Sequence, residues 1–87
     1  MYKHKAKMTP RRLKILKLMA KGYSDEQIAN GLNLTKSHYN LQRWRLYCYL
    51  DEIHKPLDAV YMGLQKGLIQ RCELSKSVED EIYGNDT

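Results

Sequence analysis

Side chains that are suited to binding nucleic acid lie close together between residues 37 and 45. The segment contains Ser37, His38, Asn40, Arg43, Trp44 and Arg45. Arginine and serine can donate hydrogen bonds to phosphates, and the amide of asparagine can pair with a base edge. So many of these residue types in one short segment predict a surface that contacts phosphates and bases together.

Three helices are predicted before residue 51, and the last of them carries this segment. Their start signals are Thr9 before Pro10 at a first helical position, Ser24 with Gln27 in a capping box, and Thr35 as the N-cap of a helix over about residues 36–50. A short helix, a tight turn and an exposed basic helix form a helix-turn-helix, whose second helix enters the DNA major groove.

The spacing within helix 36–50 separates a buried stripe from a free one. Core positions are predicted at Tyr39, Leu46 and Leu50, which lie seven and four residues apart. The free stripe is predicted to contain Asn40, Trp44 and Tyr47. Two interpretations of Trp44 stay open, because a lone tryptophan suits a core, whereas its flanking arginines favour exposure.

The chain length and composition indicate one small all-α domain of four to five helices. Its 87 residues allow a modest core, and helix-forming residues dominate. A fourth helix is predicted from Pro56 to about residue 66, and Ser77 with Asp80 is predicted to cap one more turn. The fourth helix has more apolar positions than one buried face needs, which predicts a homodimer interface at Leu57, Val60, Tyr61, Leu64 and Leu68.

The charge is distributed unevenly along the chain. Residues 1–55 contain twelve Lys and Arg against four Asp and Glu, a balance of +8, and residues 56–87 contain three against six, a balance of −3. We therefore predict a basic arm at 1–7, a helix-turn-helix domain at 8–72 and an acidic tail at 73–87. A basic half that coincides with the helix-turn-helix is expected of a nucleic-acid footprint, although a merely solvated basic surface is the alternative.

Other classes of function find no support in the sequence. Cys48 and Cys72 lack metal or redox spacing, and the histidines are scattered. The chain shows no nucleophile elbow, no Gly-rich phosphate loop and no paired-carboxylate cleft, so we predict no enzyme and no cofactor. It also shows no signal peptide and no apolar run near the roughly 20 residues of a membrane span, which predicts a cytoplasmic protein.

Residues 8–69 resemble the LuxR/GerE-type helix-turn-helix domain of bacterial transcription regulators. The resemblance rests on Met8-Thr9-Pro10-Arg11-Arg12, on the run from Leu18 to Ser24 around Ala20-Lys21-Gly22, on Ile28-Ala29-Asn30-Gly31-Leu32-Asn33-Leu34-Thr35, and on Ala59-Val60 and Gly67-Leu68-Ile69. The chain departs from the family in the recognition helix, where residues 38–42 read His-Tyr-Asn-Leu-Gln, and at Arg12, where the family has a capping glutamate.

The resemblance implies a role for several residues. Base-reading positions fall on Asn40, Leu41 and Trp44, and Ser37, His38 and Arg45 are expected near phosphates. Arg11 and Arg12 lie at a helix N-terminus, where positive charge is mildly unfavourable, so a DNA phosphate is also expected there.

Two functions follow as expectations. The first is a sequence-specific regulator of transcription that binds double-stranded DNA as a homodimer, a stand-alone protein of a bacterium, phage or mobile element. The second is a protein-interaction module that binds another regulator or RNA polymerase through the tyrosine-rich helix and the acidic tail.

Overall fold

The structure is a computed structural model that describes residues 7–51 and 53–84. Its α-helices are α1 (Pro10–Ala20), α2 (Asp25–Gly31), α3 (Lys36–Tyr49), α4 (Pro56–Gln65) and α5 (Lys76–Tyr83), with one 3-10 turn at Arg71–Glu73. The described part of the chain contains no β-strand. The predicted all-α class is confirmed, and so are the predicted starts of the first four helices. The basic arm lies outside the described residues except for Lys7.

Local hydrogen bonds explain where the first three helices begin. The hydroxyls of Thr9, Ser24 and Thr35 each accept a hydrogen bond from the backbone N–H three residues later. At α2 the bond is reciprocated, because the side-chain oxygen of Gln27 accepts from the N–H of Ser24 at 2.9 Å. Each side chain satisfies a donor that a helix end would otherwise leave unpaired.

The turn between α2 and α3 is tight and depends on one left-handed residue. Asn33 has φ of 58°, a conformation that asparagine tolerates better than most residues. The N–H of Leu34 then donates to the carbonyl of Ala29 at 2.9 Å, which closes the end of α2. This geometry brings α3 directly after α2, as a helix-turn-helix requires.

The core forms around α1, which packs against α2, α3 and α4. Ile15, Leu16 and Ala20 are fully buried on α1. The predicted core positions of α3 are confirmed, since Tyr39, Leu46 and Leu50 are at most 1% exposed. One face of α3 packs into this core, and its opposite face stays exposed.

The side chains of Leu16 on α1 and of Ile69 after α4 pack closely against Gly63. A Cβ atom on Gly63 would lie 2.9 Å from Cδ2 of Leu16 and 3.3 Å from Cγ1 of Ile69. A separation below 3.0 Å cannot be accommodated without a shift of the neighbouring side chain, so the lack of a side chain on Gly63 permits this close packing.

The apolar surplus of α4 is smaller than its sequence suggests. Val60 is 1% exposed and belongs to the core, so its predicted place in a dimer interface was wrong. Leu57, Leu64 and Leu68 are partly buried against the same core. Only Tyr61 of the predicted interface is largely exposed, at 47%. Contacts with α1 and α5 therefore bury most of the apolar surface of α4 that was predicted to contact a second copy of the chain.

Helix α5 begins two residues earlier than predicted. Ser75, not Ser77, is its N-cap, and its hydroxyl accepts from the N–H of Val78. Val78 is buried in the core, and the N–H of Ser75 donates to the carbonyl of Ala20 at 3.0 Å. Part of the acidic C-terminal segment is therefore a packed helix.

The helices in the described ranges are all short or polar. Within residues 7–51 and 53–84, none has the combination of length and apolar character that crossing a membrane demands.

Candidate nucleic-acid interface

The outer face of α3 presents an exposed stripe of mixed chemistry. Ser37, Leu41 and Trp44 follow at spacings of four and three, which places them on one side of the helix. Trp44 is 58% exposed and Leu41 is 43% exposed, so both lie outside the core. The structure thus decides between the two interpretations of Trp44 in favour of exposure.

Other predicted contact residues flank this stripe. Asn40 is exposed on one side of it, and His38 is exposed on the other. Arg45 is half-buried, and its Nε atom has no hydrogen-bond partner among the residues that the structure describes. We use the name α3 outer face for this set, which is exposed except for the half-buried Arg45: Ser37, His38, Asn40, Leu41, Trp44 and Arg45.

Tyr47 was predicted on the free stripe, and that prediction was wrong. Its side chain is only 9% exposed and packs in the core cluster. A helix turns about 100° per residue, so Tyr47 lies on the core side of Trp44. The guanidinium of Arg43 covers its ring, with the carbon Cζ 5.9 Å from the ring centre.

The two arginines at the start of α1 have different environments. Arg11 is exposed, whereas Arg12 is only 8% exposed. Nε of Arg12 donates to Oε1 of Gln42 at 2.9 Å, and a terminal nitrogen donates to the carbonyl of Lys7 at 2.7 Å. The side chain of Arg12 therefore lies inside the domain, not on the predicted phosphate-binding surface. These two hydrogen bonds offset the free-energy cost of burying the charge, which would be large for an unpaired guanidinium.

A three-residue cluster joins α2 to α3. One carboxylate oxygen of Asp25 accepts from the hydroxyl of Tyr39 at 2.8 Å, and the other accepts from the guanidinium of Arg43 at 2.6 Å. Arg43 also lies over the ring of Tyr39, 5.9 Å from its centre. We call this the Asp25 clamp. Because Tyr39 is fully buried and Asp25 begins α2, the clamp sets the position of one helix on the other.

The surroundings of the two tyrosines favour their neutral forms. Burial, and then the hydrogen bond to Asp25, raise the pKa of the Tyr39 hydroxyl far above its ordinary range. Burial raises the pKa of Tyr47 to about 12, against a partial opposing effect of the positive charge on Arg43. Both phenols are therefore neutral at physiological pH, and the hydroxyl of Tyr39 donates to Asp25. The hydroxyl of Tyr47 has no partner among the described residues.

The charge of α3 has one sign. The helix contains Lys36, Arg43 and Arg45 and no acidic residue. Arg43 is neutralised by Asp25. The charges that remain are those of Lys36, the first residue of the helix, and of Arg45, in its C-terminal half. A helix with a neutral, partly apolar centre between two cations suits a groove between two phosphate backbones.

Metal-binding and thiol chemistry find no structural basis in the described ranges. There, no group of three or more His, Cys, Asp and Glu side chains is arranged to hold a metal ion. Cys48 is half-buried and Cys72 is exposed, and both are free thiols.

Two residues that hold arginines in this candidate site could not be recognised from sequence patterns. Asp25 and Gln42 bind arginines that lie 18 and 30 residues away in the chain. No local pattern predicts such contacts. An aspartate is common in the first turn of a helix, so the position of Asp25 alone does not indicate a contact with α3.

Comparisons with family models, with curated proteins and with solved structures found no match to this chain. The LuxR/GerE resemblance therefore stays a prediction from the motifs that suggested it.

Proposed function

We propose that this protein binds double-stranded DNA sequence-specifically, with α3 in the major groove, and regulates transcription. The observation that carries the proposal is the α3 outer face, where Asn40, Leu41 and Trp44 are exposed on a helix whose opposite face is buried in the core. An α-helix fits the major groove, and a helix-turn-helix presents its second helix there.

Each residue of the outer face has a matching chemistry on DNA. The amide of Asn40 can pair bidentately with adenine, and the side chain of Leu41 can pack on a thymine methyl. Such a contact discriminates between bases by roughly 1–3 kcal/mol. The indole of Trp44 supplies a large flat surface and one N–H donor beside them.

Residues at the margins of the face serve the phosphates in this proposal. Lys36, Ser37 and Arg45 lie on α3, and Arg11 is exposed at the start of α1. Phosphate contacts of this kind set the register of the helix but carry no sequence information. The Asp25 clamp supports them indirectly, because it holds α2 and α3 in one relative position.

We propose that the protein forms a homodimer through the surface around Tyr61. This side chain is exposed on α4 between the half-buried Leu57 and Leu64. A two-fold axis near Tyr61 would repeat the α3 outer face, and such dimers read half-sites about 34–36 Å apart.

Selection of bound sequences from random duplex DNA tests the proposal. We expect enrichment of a defined motif, lost at particular base pairs in Asn40→Ala and Trp44→Ala. Gln65→Ala and Tyr23→Ala are matched controls, because they remove an exposed amide and an exposed aromatic ring outside α3. Failure of the unmodified chain to enrich any motif, or equal effects of the controls, would overturn it.

A second candidate is a protein-interaction module for another regulator or for RNA polymerase. It is favoured by the exposure of Leu41 and Trp44, and by a cleft of about 620 Å³ beside Trp44 that Ile53 and Pro56 also line. Salt dependence distinguishes the two candidates. DNA affinity falls steeply with the logarithm of salt concentration, whereas binding centred on apolar side chains does not.

A further inference from the structure

Arg12 is the one buried charged side chain in the described part of the chain, and it orients a neighbouring amide. Its Nε atom donates to Oε1 of Gln42 on α3 at 2.9 Å, and a terminal nitrogen donates to the main-chain carbonyl of Lys7 at 2.7 Å. A guanidinium has donors and no acceptor, so the atom of Gln42 that faces it must be the oxygen. The NH2 group of Gln42 is therefore the end of the amide that is left for another partner.

The NH2 group of Gln42 lies next to the imidazole of His38, one helical turn earlier. Nε2 of Gln42 is 3.4 Å from Nε2 of His38. An NH2 group only donates, so the His38 nitrogen in this contact must accept, which an imidazole nitrogen does only when it carries no proton. A neutral imidazole has one proton, and the hydrogen bond made by one nitrogen decides which nitrogen holds it. These contacts therefore place the proton of neutral His38 on Nδ1.

The N–H at Nδ1 of His38 is available to a partner outside the chain. The side chain is exposed, and its contact with Gln42 uses the other ring nitrogen. Two exposed cations, Lys7 and Arg11, lie on the chain beside Arg12, so this edge of α3 adjoins positive charge. A donor in such surroundings suits an acceptor that carries negative charge. In DNA that acceptor is a phosphate oxygen, because the acceptors on base edges are neutral.

We propose that Arg12, acting through Gln42, holds neutral His38 with its proton on Nδ1, and that this N–H donates to a phosphate oxygen of bound DNA. Arg12 and Gln42 are then positioning residues, and His38 is the residue that touches the DNA. Only the phosphate contact rests on the proposed function, because the place of the proton is a property of the free protein. An unrestrained imidazole in water favours the proton on Nε2, so the proposed tautomer is the opposite of the default.

NMR of the ring nitrogens locates the proton in the free protein at about pH 8, where an imidazole is ordinarily neutral. A protonated and an unprotonated ring nitrogen have well-separated chemical shifts, and the signals of His38 are identified by their loss in His38→Asn. We expect Nδ1 of His38 to be protonated and Nε2 to be unprotonated in the unmodified chain.

Gln42→Glu tests whether the amide is the cause. The glutamate keeps an oxygen acceptor for Arg12 but replaces the NH2 group with a second oxygen, so Nε2 of His38 should gain a proton. Gln42 is only half-buried, so this variant avoids the larger disturbance of changing Arg12 itself. His54 is the internal control, because it is exposed outside α3 and should give the same signals in both proteins. A purely structural role of Gln42 would leave the proton of His38 in place.

Affinity for a selected duplex tests the phosphate contact. The amide nitrogen of an asparagine can take the position of Nδ1, whereas that of a glutamine reaches the position of Nε2. We therefore expect His38→Asn to keep most of the affinity, and His38→Gln to bind roughly tenfold more weakly, as for loss of a hydrogen bond to a charged acceptor. Replacing single phosphates with neutral methylphosphonates should weaken binding of the unmodified protein at one position per half-site. At that position His38→Gln should show no further loss.

Each half of the inference has results that would overturn it. A proton on Nε2 of His38 in the unmodified chain, or an unprotonated Nε2 in Gln42→Glu, would overturn the assigned tautomer. Equal losses of affinity in His38→Asn and His38→Gln, or a loss confined to one base pair, would overturn the phosphate contact. Failure of the proposed function is distinguishable, because then the unmodified chain enriches no DNA motif, whereas the proton on Nδ1 is still observed.

Discussion

Removing the carboxylate of Asp25 should destabilise the protein mainly through Tyr39. The Tyr39 hydroxyl is buried and donates to Asp25 at 2.8 Å, so Asp25→Ala leaves a buried donor without an acceptor. Such an orphaned group costs about 1–3 kcal/mol. The ion pair with Arg43 is partly exposed on both sides and adds only about 0.2–1 kcal/mol. We expect a total loss of roughly 1–4 kcal/mol in the free energy of unfolding.

Two further variants separate the hydrogen bond from the charge. Asp25→Asn keeps an oxygen acceptor for Tyr39 and loses only the charge, so its cost should stay below about 1 kcal/mol. Tyr39→Phe removes the donor itself. Added to Asp25→Ala, it should recover part of the lost stability, because no buried hydroxyl is then left unpaired.

Urea denaturation followed by circular dichroism measures these differences. Thermal unfolding gives a second measurement, because for a domain of this size a loss of 1 kcal/mol lowers Tm by about 4–8 °C. The reasoning is refuted if Asp25→Asn is as damaging as Asp25→Ala, or if Tyr39→Phe brings no recovery in the Asp25→Ala background.

Three more predictions follow from other parts of the structure. Burial raises the pKa of Tyr47 from 10.0 to about 12, so its contribution to stability should be complete below pH 10 and fall between those values by up to about 1.4 kcal/mol per pH unit. The raised pKa of Tyr39 adds a fall of its own above pH 10, so in alkaline urea titrations Tyr47→Phe should make the fall less steep without removing it. Gly63→Ala should lower the free energy of unfolding by about 1–3 kcal/mol, because the new methyl group overpacks the core. Gly31 has open space around it, so Gly31→Ala should raise the free energy of unfolding by about 0.5–1 kcal/mol. Thermal unfolding measures both changes. Tyr61→Asp should give a folded monomer with reduced DNA affinity, and sedimentation showing the unmodified chain as a monomer on and off DNA would contradict the dimer.

The helix starts could be predicted because their causes are local. Thr9, Ser24 and Thr35 each hydrogen-bond a residue three positions away, so the signal and the structure it forms lie in the same few residues. The buried stripe of α3 was predictable for a similar reason, since helical periodicity alone groups Tyr39 with Leu46.

The roles of several charged side chains could not be predicted in this way. Arg12 and Arg43 look like surface cations in the sequence, but the fold brings them to Gln42 and Asp25. The start of α5 shows the same limit. Ser77 has the better local capping pattern, yet burial of Val78 and the backbone bond of Ser75 favour the earlier start.

The bond between Ser75 and Ala20 also has a consequence for how the molecule opens. Its two residues are far apart in sequence, so forming it requires closure of most of the chain, and such contacts tend to form late in folding. The amide proton of Ser75 can exchange with solvent when α5 leaves the end of α1, even while α3 remains folded. Its exchange rate therefore reports the free energy of this partial opening, separately from that of global unfolding.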